Sequence, residues 1–411
     1  MIFTSFSPNT QPDDVRLAAK LLLKPWKWQE GTTTLKLENE FKHYFRTKHA
    51  FAVNNGRTAL LTILQALGIS KGDEVLVQAY TCVAVPEPVL WLGAKPVYVD
   101  CEGETLGMDP TDLRRKITSK AKVVIIQHTL GNPAQIDEIM AIARQYGLIV
   151  IEDCAHALGA EYKGKKVGTF GAASFFSFGR DKVISSVFGG MIITQDEALA
   201  KRIGIIRNSF ETPSKLWIFR QLLHPLILTL AKATYTTKNI GKIIMTIARR
   251  LSIISVAVEK TELSGGKPTF AFKKMPEALA ALALKQFKKL EMFNAHRKEI
   301  AALYERELRE EKIGLLAENG SGTNIFLRFP LFLENPKELI AFAKTKDIEL
   351  GNWYQDPIAP AGVDTEAIGY GSNPTAEQLA ALSVNLPTSI QIQEKDAKKI
   401  IFMIREYLTK M

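Results

Sequence analysis

Cysteine is scarce. The 411-residue chain has three, Cys82, Cys101 and Cys154, odd in number and without CxxC or CxxxC spacing. That pattern excludes a disulfide framework, offers no zinc motif and predicts a reducing compartment. The chain also lacks any run of about 18 uninterrupted apolar residues, and its opening stretch, MIFTSFSPNTQPDDVRLAAK, has no basic region followed by a long apolar one. A cytoplasmic protein without a spanning helix is expected. Internal repeats, low-complexity tracts, nucleic-acid recognition modules and Arg/aromatic platforms for single strands are missing as well, which argues against nucleic acid as a partner.

Acidic residues are absent from one stretch altogether. Lys and Arg total 53 against 43 Asp and Glu, a net charge of +10, and seven of the basic residues lie between Pro213 and Val258, where there is no Asp or Glu. Most of the excess belongs to that segment, so a partner for it should be sought there.

With 46% apolar residues the chain can bury a substantial core. From residue 57 to 194 helical and strand patterns alternate in short units: RTALLTILQALG, DEVLVQA, VPEPVLWLG, KPVYVD, KVVIIQHT, IDEIMAIARQYG and LIVIED. Such alternation predicts a wound α/β sheet with helices on both faces and ligands at the carboxyl ends of its strands. Three parts are expected: a large α/β domain over 1–210, a basic amphipathic helical insertion over 211–262, and a smaller α+β domain over 263–411.

A lysine in a polar loop is ordinarily a solvated charge. Lys182, in SFGRDKVISSVFGG, has neighbours that overturn this reading. LIVIED is a buried-strand run that leaves Asp153 at a strand's carboxyl end, where an unpaired charge needs a cationic partner. His156 and Gly159 follow it. A second apolar run, SFFSF, delivers Ser177 and then Lys182 just before GGMIIT. An acid at one strand end, a hydroxyl and a lysine at another, and nearby glycines are the parts of a pyridoxal phosphate site: the lysine joins the cofactor aldehyde and the carboxylate keeps the ring nitrogen protonated. NNGRTAL supplies a second element, a turn into a helix whose free N–H groups face an anion, with Gly56 allowing close approach.

EDCAHALGAEYKGKKVGTFGAASFFSFGRDKVISSVFGG, with NNGRTALLTILQALGISKGDEVLVQAYT, GAKPVYVDCE and GNPAQIDEI, closely resembles the core of the DegT/DnrJ/StrS family of pyridoxal phosphate enzymes, most of which are sugar aminotransferases. The resemblance runs from about residue 30 to 210 and resumes at LALKQFKKLEMFNAHRKEIAALY. It implies a type I aminotransferase-like fold, a mixed but mostly parallel sheet with a smaller α+β C-terminal domain. It implies Lys182 as the Schiff-base lysine, Asp153 as the pyridinium partner, His156 beside the ring hydroxyl and Ser177 as a phosphate ligand. Where the family usually has a small hydroxyl residue after the glycine, this chain has Arg57 and then Thr58; either Arg57 pairs with phosphate, or it points to solvent and Thr58 is the ligand. A homodimer, a keto-sugar substrate on a nucleotide and glutamate as amino donor are implied too, in the synthesis of amino sugars, cell-surface polysaccharides or secondary metabolites. Two rivals stand: the family's sugar dehydratase branch, where histidine typically replaces the lysine, and a membrane-associated binding protein of the same fold without turnover.

The chain departs from the family in three further places. Cys82 occupies the position of an aromatic that stacks on the cofactor ring, so the stacking surface comes from Tyr80 or is missing. The run that reaches the partner subunit's cofactor reads PTFAFKKM, in which Lys274 could stand for an arginine as a point charge but not as a bidentate fork. GNWYQDP lacks the histidine often found in the late substrate loop.

In the basic segment, Ile240, Ile243, Ile244, Ile247, Leu251 and Ile254 share one helical face, opposite Lys238, Lys242 and Arg249. Two readings stand. The helix packs on its own domain or a dimer seam, or it lies in a membrane interface at the inner face of the membrane. The preceding LWIFRQLLHPLILTLAKATY is expected to break at His224 and Pro225.

Overall fold

The computed structural model describes residues 1–411 apart from 236, 238, 239, 252, 312, 317–319 and 411, so Lys238 lies outside the described residues. Seven strands build the central sheet: β1 (His49–Val53), β2 (Glu74–Gln78), β3 (Lys95–Val99), β4 (Ala121–Gln127), β5 (Ile149–Asp153), β6 (Ala173–Ser177) and β7 (Gly190–Thr194). Their spatial order is β1-β7-β6-β5-β4-β2-β3. Only β7 is antiparallel to its neighbours. The sheet is covered on both faces, which is why its strands read as near-continuous apolar runs such as VVII in β4.

Register brings the strand ends into one row. Gln127 lies opposite Asp153, Asp153 opposite Phe175, Ser177 opposite Gly190, and Gly190 opposite Val53. The carboxyl ends of β1, β4, β5 and β6 therefore meet at one edge, as the sequence pattern predicts.

Seven helices frame this edge and the segments packed around it: α1 (Pro12–Leu22), α2 (Gly56–Ala66), α3 (Lys215–Ala233), α4 (Ile240–Arg250), α5 (Glu277–Phe287), α6 (Leu290–Leu308) and α7 (Glu394–Leu408). Asn55 caps α2, its Oδ1 accepting the Thr58 N–H at 2.8 Å. Ala278, Leu279, Leu282 and Ala283 of α5 join Phe41, Phe176 and Phe178 in one core. A separate core gathers Ile300, Tyr304 and Leu308 of α6, Ile400 and Ile404 of α7, and the antiparallel pair β8 (Phe329–Phe332) and β9 (Ser383–Leu386). Ile2 belongs to this second core, because Ile2–Phe3 pairs with Ile348–Glu349.

One local expectation fails. His224 and Pro225 do not break the apolar helix; α3 runs through them from Lys215 to Ala233. Proline removes a single backbone donor, and the burial of Ile218, Leu222 and Leu228 around it holds the helix together.

Gly190 is where β7 passes the turn into α2. A Cβ there would lie 2.7 Å from the carbonyl carbon of Asn55 and 3.1 Å from the Gly56 nitrogen. Gly190→Ala is expected to displace that turn at a cost of about 2 kcal/mol, read by denaturant unfolding. An unchanged midpoint would show that the turn yields without cost.

Candidate active site

A cavity of about 510 Å³ opens at the row of strand ends and is lined by Asn55, Gly56, Asp153, His156, Ser177 and Lys182 among others. Its centre is a contact between two side chains. The Lys182 Nζ lies 2.8 Å from the His156 Nε2. The other ring nitrogen, Nδ1, accepts the Leu130 N–H at 3.4 Å. Burial acts on both partners of the contact. It depresses the Lys182 amine from its ordinary range, and it pushes His156 well below the ordinary histidine range, helped by the cations Lys182 and Arg328.

Asp153 closes β5 and faces the cavity, while Glu152 beside it points the other way, as alternation along a strand requires. One Asp153 oxygen accepts the Ala155 N–H at 2.9 Å. Burial raises its pKa, against the pull of that N–H, Lys182 and His128. Among the described residues no cation pairs with it directly. Glu152 is fully engaged, accepting N–H groups from Gly168, Phe170 and Gly171 at 2.7–2.8 Å. The cluster His128, Glu152 and Cys154 brings donor atoms within 4.8 Å of one another. Its lone pairs are committed, since His128 accepts the Ala134 N–H and meets Glu152 through its other nitrogen.

The two phosphate elements expected from sequence are neighbours. A Cβ on Gly56 would come 3.2 Å from the Ser177 Cβ, so glycine keeps the start of α2 open beside that hydroxyl. Asn55 was missed by sequence reasoning. Its Nδ2 is buried, has no partner and lines the cavity; an Asn directly before a glycine at a helix start is the signal that marks it.

Three expectations are corrected. Arg57 does not point to solvent: its Nε lies 3.2 Å from Glu87 and 2.7 Å from Glu262, and its Nη2 donates to the Ala257 carbonyl at 3.1 Å. Burial, beside the second acid, pushes Glu87 up to about 9, so the two carboxyls carry about one charge between them and neutralise the guanidinium. Thr58 does not reach the cavity; its hydroxyl accepts the Phe272 N–H at 3.3 Å. Tyr80 offers no stacking face, being fully buried with its hydroxyl on Ser383 at 2.9 Å. Trp353 lines the cavity instead. Its ring is stacked on His156 at 5.4 Å between centroids, with the Arg328 guanidinium 3.5 Å above it.

The lysine loop is braced from a distance. Asn9 donates to the Lys182 and Val183 carbonyls at 2.5 and 3.0 Å, and buried Arg297 spans Asn9 and the Val183 carbonyl, each at 2.8 Å. Gln286 accepts the Ser185 N–H at 2.7 Å. These partners lie far apart in the chain and carry no local sequence signal.

His156 stays neutral in the fold, whereas the unfolded chain takes up a proton below about pH 6.5. Stability from a depressed histidine is present above that pH and is lost as pH falls. Wild type should lose about 1.4 kcal/mol per pH unit more than His156→Gln below pH 6.5. Glu87 works in the opposite sense in both proteins, so the difference isolates the histidine. Parallel unfolding curves for the two proteins at pH 7.5 and 5.5 would contradict the assignment.

The sequence profile of the DegT/DnrJ/EryC1/StrS aminotransferase family matches residues 10–216 and 237–405. The GDP-perosamine synthase of Escherichia coli O157:H7 is 39% identical over 197 residues, which are 48% of this chain and only 54% of that protein. The pleiotropic regulatory protein of Geobacillus stearothermophilus is 29% identical over 96% of this chain and 92% of its own. Among solved structures, S. venezuelae DesV in complex with a ketimine intermediate superposes with a TM-score of 0.75 at 25% identity, covering 96% of this chain and 94% of DesV. With its profile matched over most of its length and its fold shared end to end, this chain belongs to the DegT/DnrJ/EryC1/StrS aminotransferase family.

Proposed function

We propose that the protein is a pyridoxal phosphate-dependent transaminase that moves an amino group, from glutamate, to a nucleotide-linked keto sugar. The observation that carries the reading is the Lys182 amine, 2.8 Å from His156, in a cavity that also holds the unpaired Asp153. The residues present fit the cofactor. A carboxylate without an ion-pair partner, a glycine cradle and the orphaned Asn55 amide group all face the same space.

When bound, pyridoxal phosphate supplies an aldehyde that condenses with amines and a ring that accepts electrons once its nitrogen is protonated. Asp153 would hold that proton on the ring nitrogen. The Gly56 N–H, Asn55 Nδ2 and Ser177 Oγ would hold the phosphate at the positive end of α2. Arg57, neutralised by its glutamates, shapes the wall. His156 would sit beside the ring hydroxyl, orienting Lys182 through Nε2. Lys182 Nζ, already depressed by burial, takes the proton from the donor's α-carbon and returns it, a task for which a free lysine is too basic. Trp353 and Tyr354 exclude water over the reacting atoms.

A homodimer belongs to this reading, with Lys274 near the neighbouring subunit's cofactor phosphate. The PTFAFKKM run already lies against the phosphate turn: Asn54 donates to the Phe270 carbonyl at 2.5 Å, and the Lys273 carbonyl accepts the Asn54 N–H at 3.3 Å.

The test is amino transfer from glutamate to a panel of nucleotide-linked keto sugars. Wild type should aminate at least one. Lys182→Ala should transfer nothing. Asp153→Asn should retain cofactor and lose at least about a hundredfold in kcat; full turnover by this variant would reduce Asp153 to a structural role.

A further inference from the structure

We infer that the α3–α4 hairpin is a docking surface for a bilayer that contains anionic lipid, an inference independent of the amino-transfer reading. The family profile leaves residues 217–236 unmatched, which is most of α3 and the turn after it, and resumes before α4. It is closely built. Gly241, Met245 and Ala248 of α4 are buried against α3, and a Cβ on Gly241 would collide with the Ala231 carbonyl oxygen.

That packing takes in Ile244 and Ile254 but leaves the rest of the isoleucine stripe outside. Ile243, Ile247 and Leu251 are 54%, 50% and 64% exposed, and Ile240 and Leu230 are exposed beside them. The helix is held on α3 by Gly241, Met245 and Ala248 together with Ile244 and Ile254. The stripe's surroundings are mostly cationic. Among the described residues, none of Lys215, Arg220, Lys242, Arg249 and Arg250 makes a salt bridge, and the carboxylate of Glu349 acts on Lys242 and Arg249 only from longer range; Lys232 is turned inward, donating to Gln391 at 2.9 Å. The segment from Pro213 to Val258 contains no acid to compensate them.

Charge decides the occupant. A twofold seam between copies would set this basic patch against itself, with no acidic residue in the segment to meet it. An anionic leaflet receives apolar stripe and cations together, the stripe below the headgroups and the lysines and arginines among them. No helix of the described residues is long and apolar enough to cross a membrane, so the hairpin lies along the surface. The chain leaving α4 then enters the cavity wall at Ala257 and Val258, and Arg180 at the cavity donates to Ser255 at 2.5 Å. Chain length between Leu251 and Ala257 allows at most about 20 Å, so docking brings the cavity close to the headgroups.

Flotation of the full-length protein tests this, using vesicles of phosphatidylcholine alone and of phosphatidylcholine mixed with phosphatidylglycerol. Wild type should float with the mixed vesicles at low salt, release as salt rises and ignore the neutral ones. Lys242→Glu/Arg250→Glu and Ile243→Ser/Ile247→Ser should each partition at least about tenfold more weakly, with cofactor uptake and sedimentation unchanged. A wild type that stays in the soluble fraction with mixed vesicles at low salt overturns the inference. So does an Ile243→Ser/Ile247→Ser protein that sediments as a smaller species, because the stripe would then be a seam between copies.

Discussion

Keeping a lysine amine inside a protein is the constraint around which this structure is arranged. A buried ammonium without a partner costs several kcal/mol, so the amine either loses its proton or finds a counter-charge. Lys182 meets the demand through a neutral histidine whose second nitrogen is occupied by a backbone N–H. The loop that carries it cannot move away, since Asn9, Gln286 and Arg297 hold its backbone from three distant segments. The amine is thus depressed by desolvation and fixed in place beside His156.

The two adjacent acids of β5 divide the labour of that site. Glu152 turns away from the cavity and spends both oxygens on N–H groups of the 168–171 turn, which steadies the approach to β6. Asp153 turns inward and keeps an oxygen for something the chain does not provide. One residue of register separates a carboxylate spent on backbone N–H groups from one that faces the cavity, and the sheet's pairing of Asp153 with both Gln127 and Phe175 makes a slip costly.

Local features of the sequence carried most of the fold and about half of the site. Strand and helix alternation, an acid at the end of LIVIED, a lysine before GGMIIT and a glycine at a helix start are all short-range patterns, and the structure brings Asp153, His156, Ser177, Gly56 and Lys182 to one cavity. The failures are long-range. Arg57 lines the cavity, but nothing local in the sequence shows that Glu87 and Glu262 come to its guanidinium from two other elements. Tyr80 looks like a stacking ring until its hydroxyl is found on Ser383. Trp353 stood in a run noted only for the histidine it lacks, yet it caps His156 under the Arg328 guanidinium. For α4 the helical wheel puts six apolar residues on one face, but the structure exposes Ile240, Ile243, Ile247 and Leu251 and turns Ile244 and Ile254 inward, because the close approach at Gly241 sets which face meets α3.

All of the proposed chemistry depends on Lys182 being the residue that holds the cofactor. Borohydride reduction of the protein incubated with pyridoxal phosphate, followed by digestion and peptide mass mapping, measures this directly. The reduced label should fall on the peptide containing Lys182, at one equivalent per chain, and should be lost in Lys182→Ala. A label spread over other lysines, or a wild-type protein that takes up no cofactor, would contradict it.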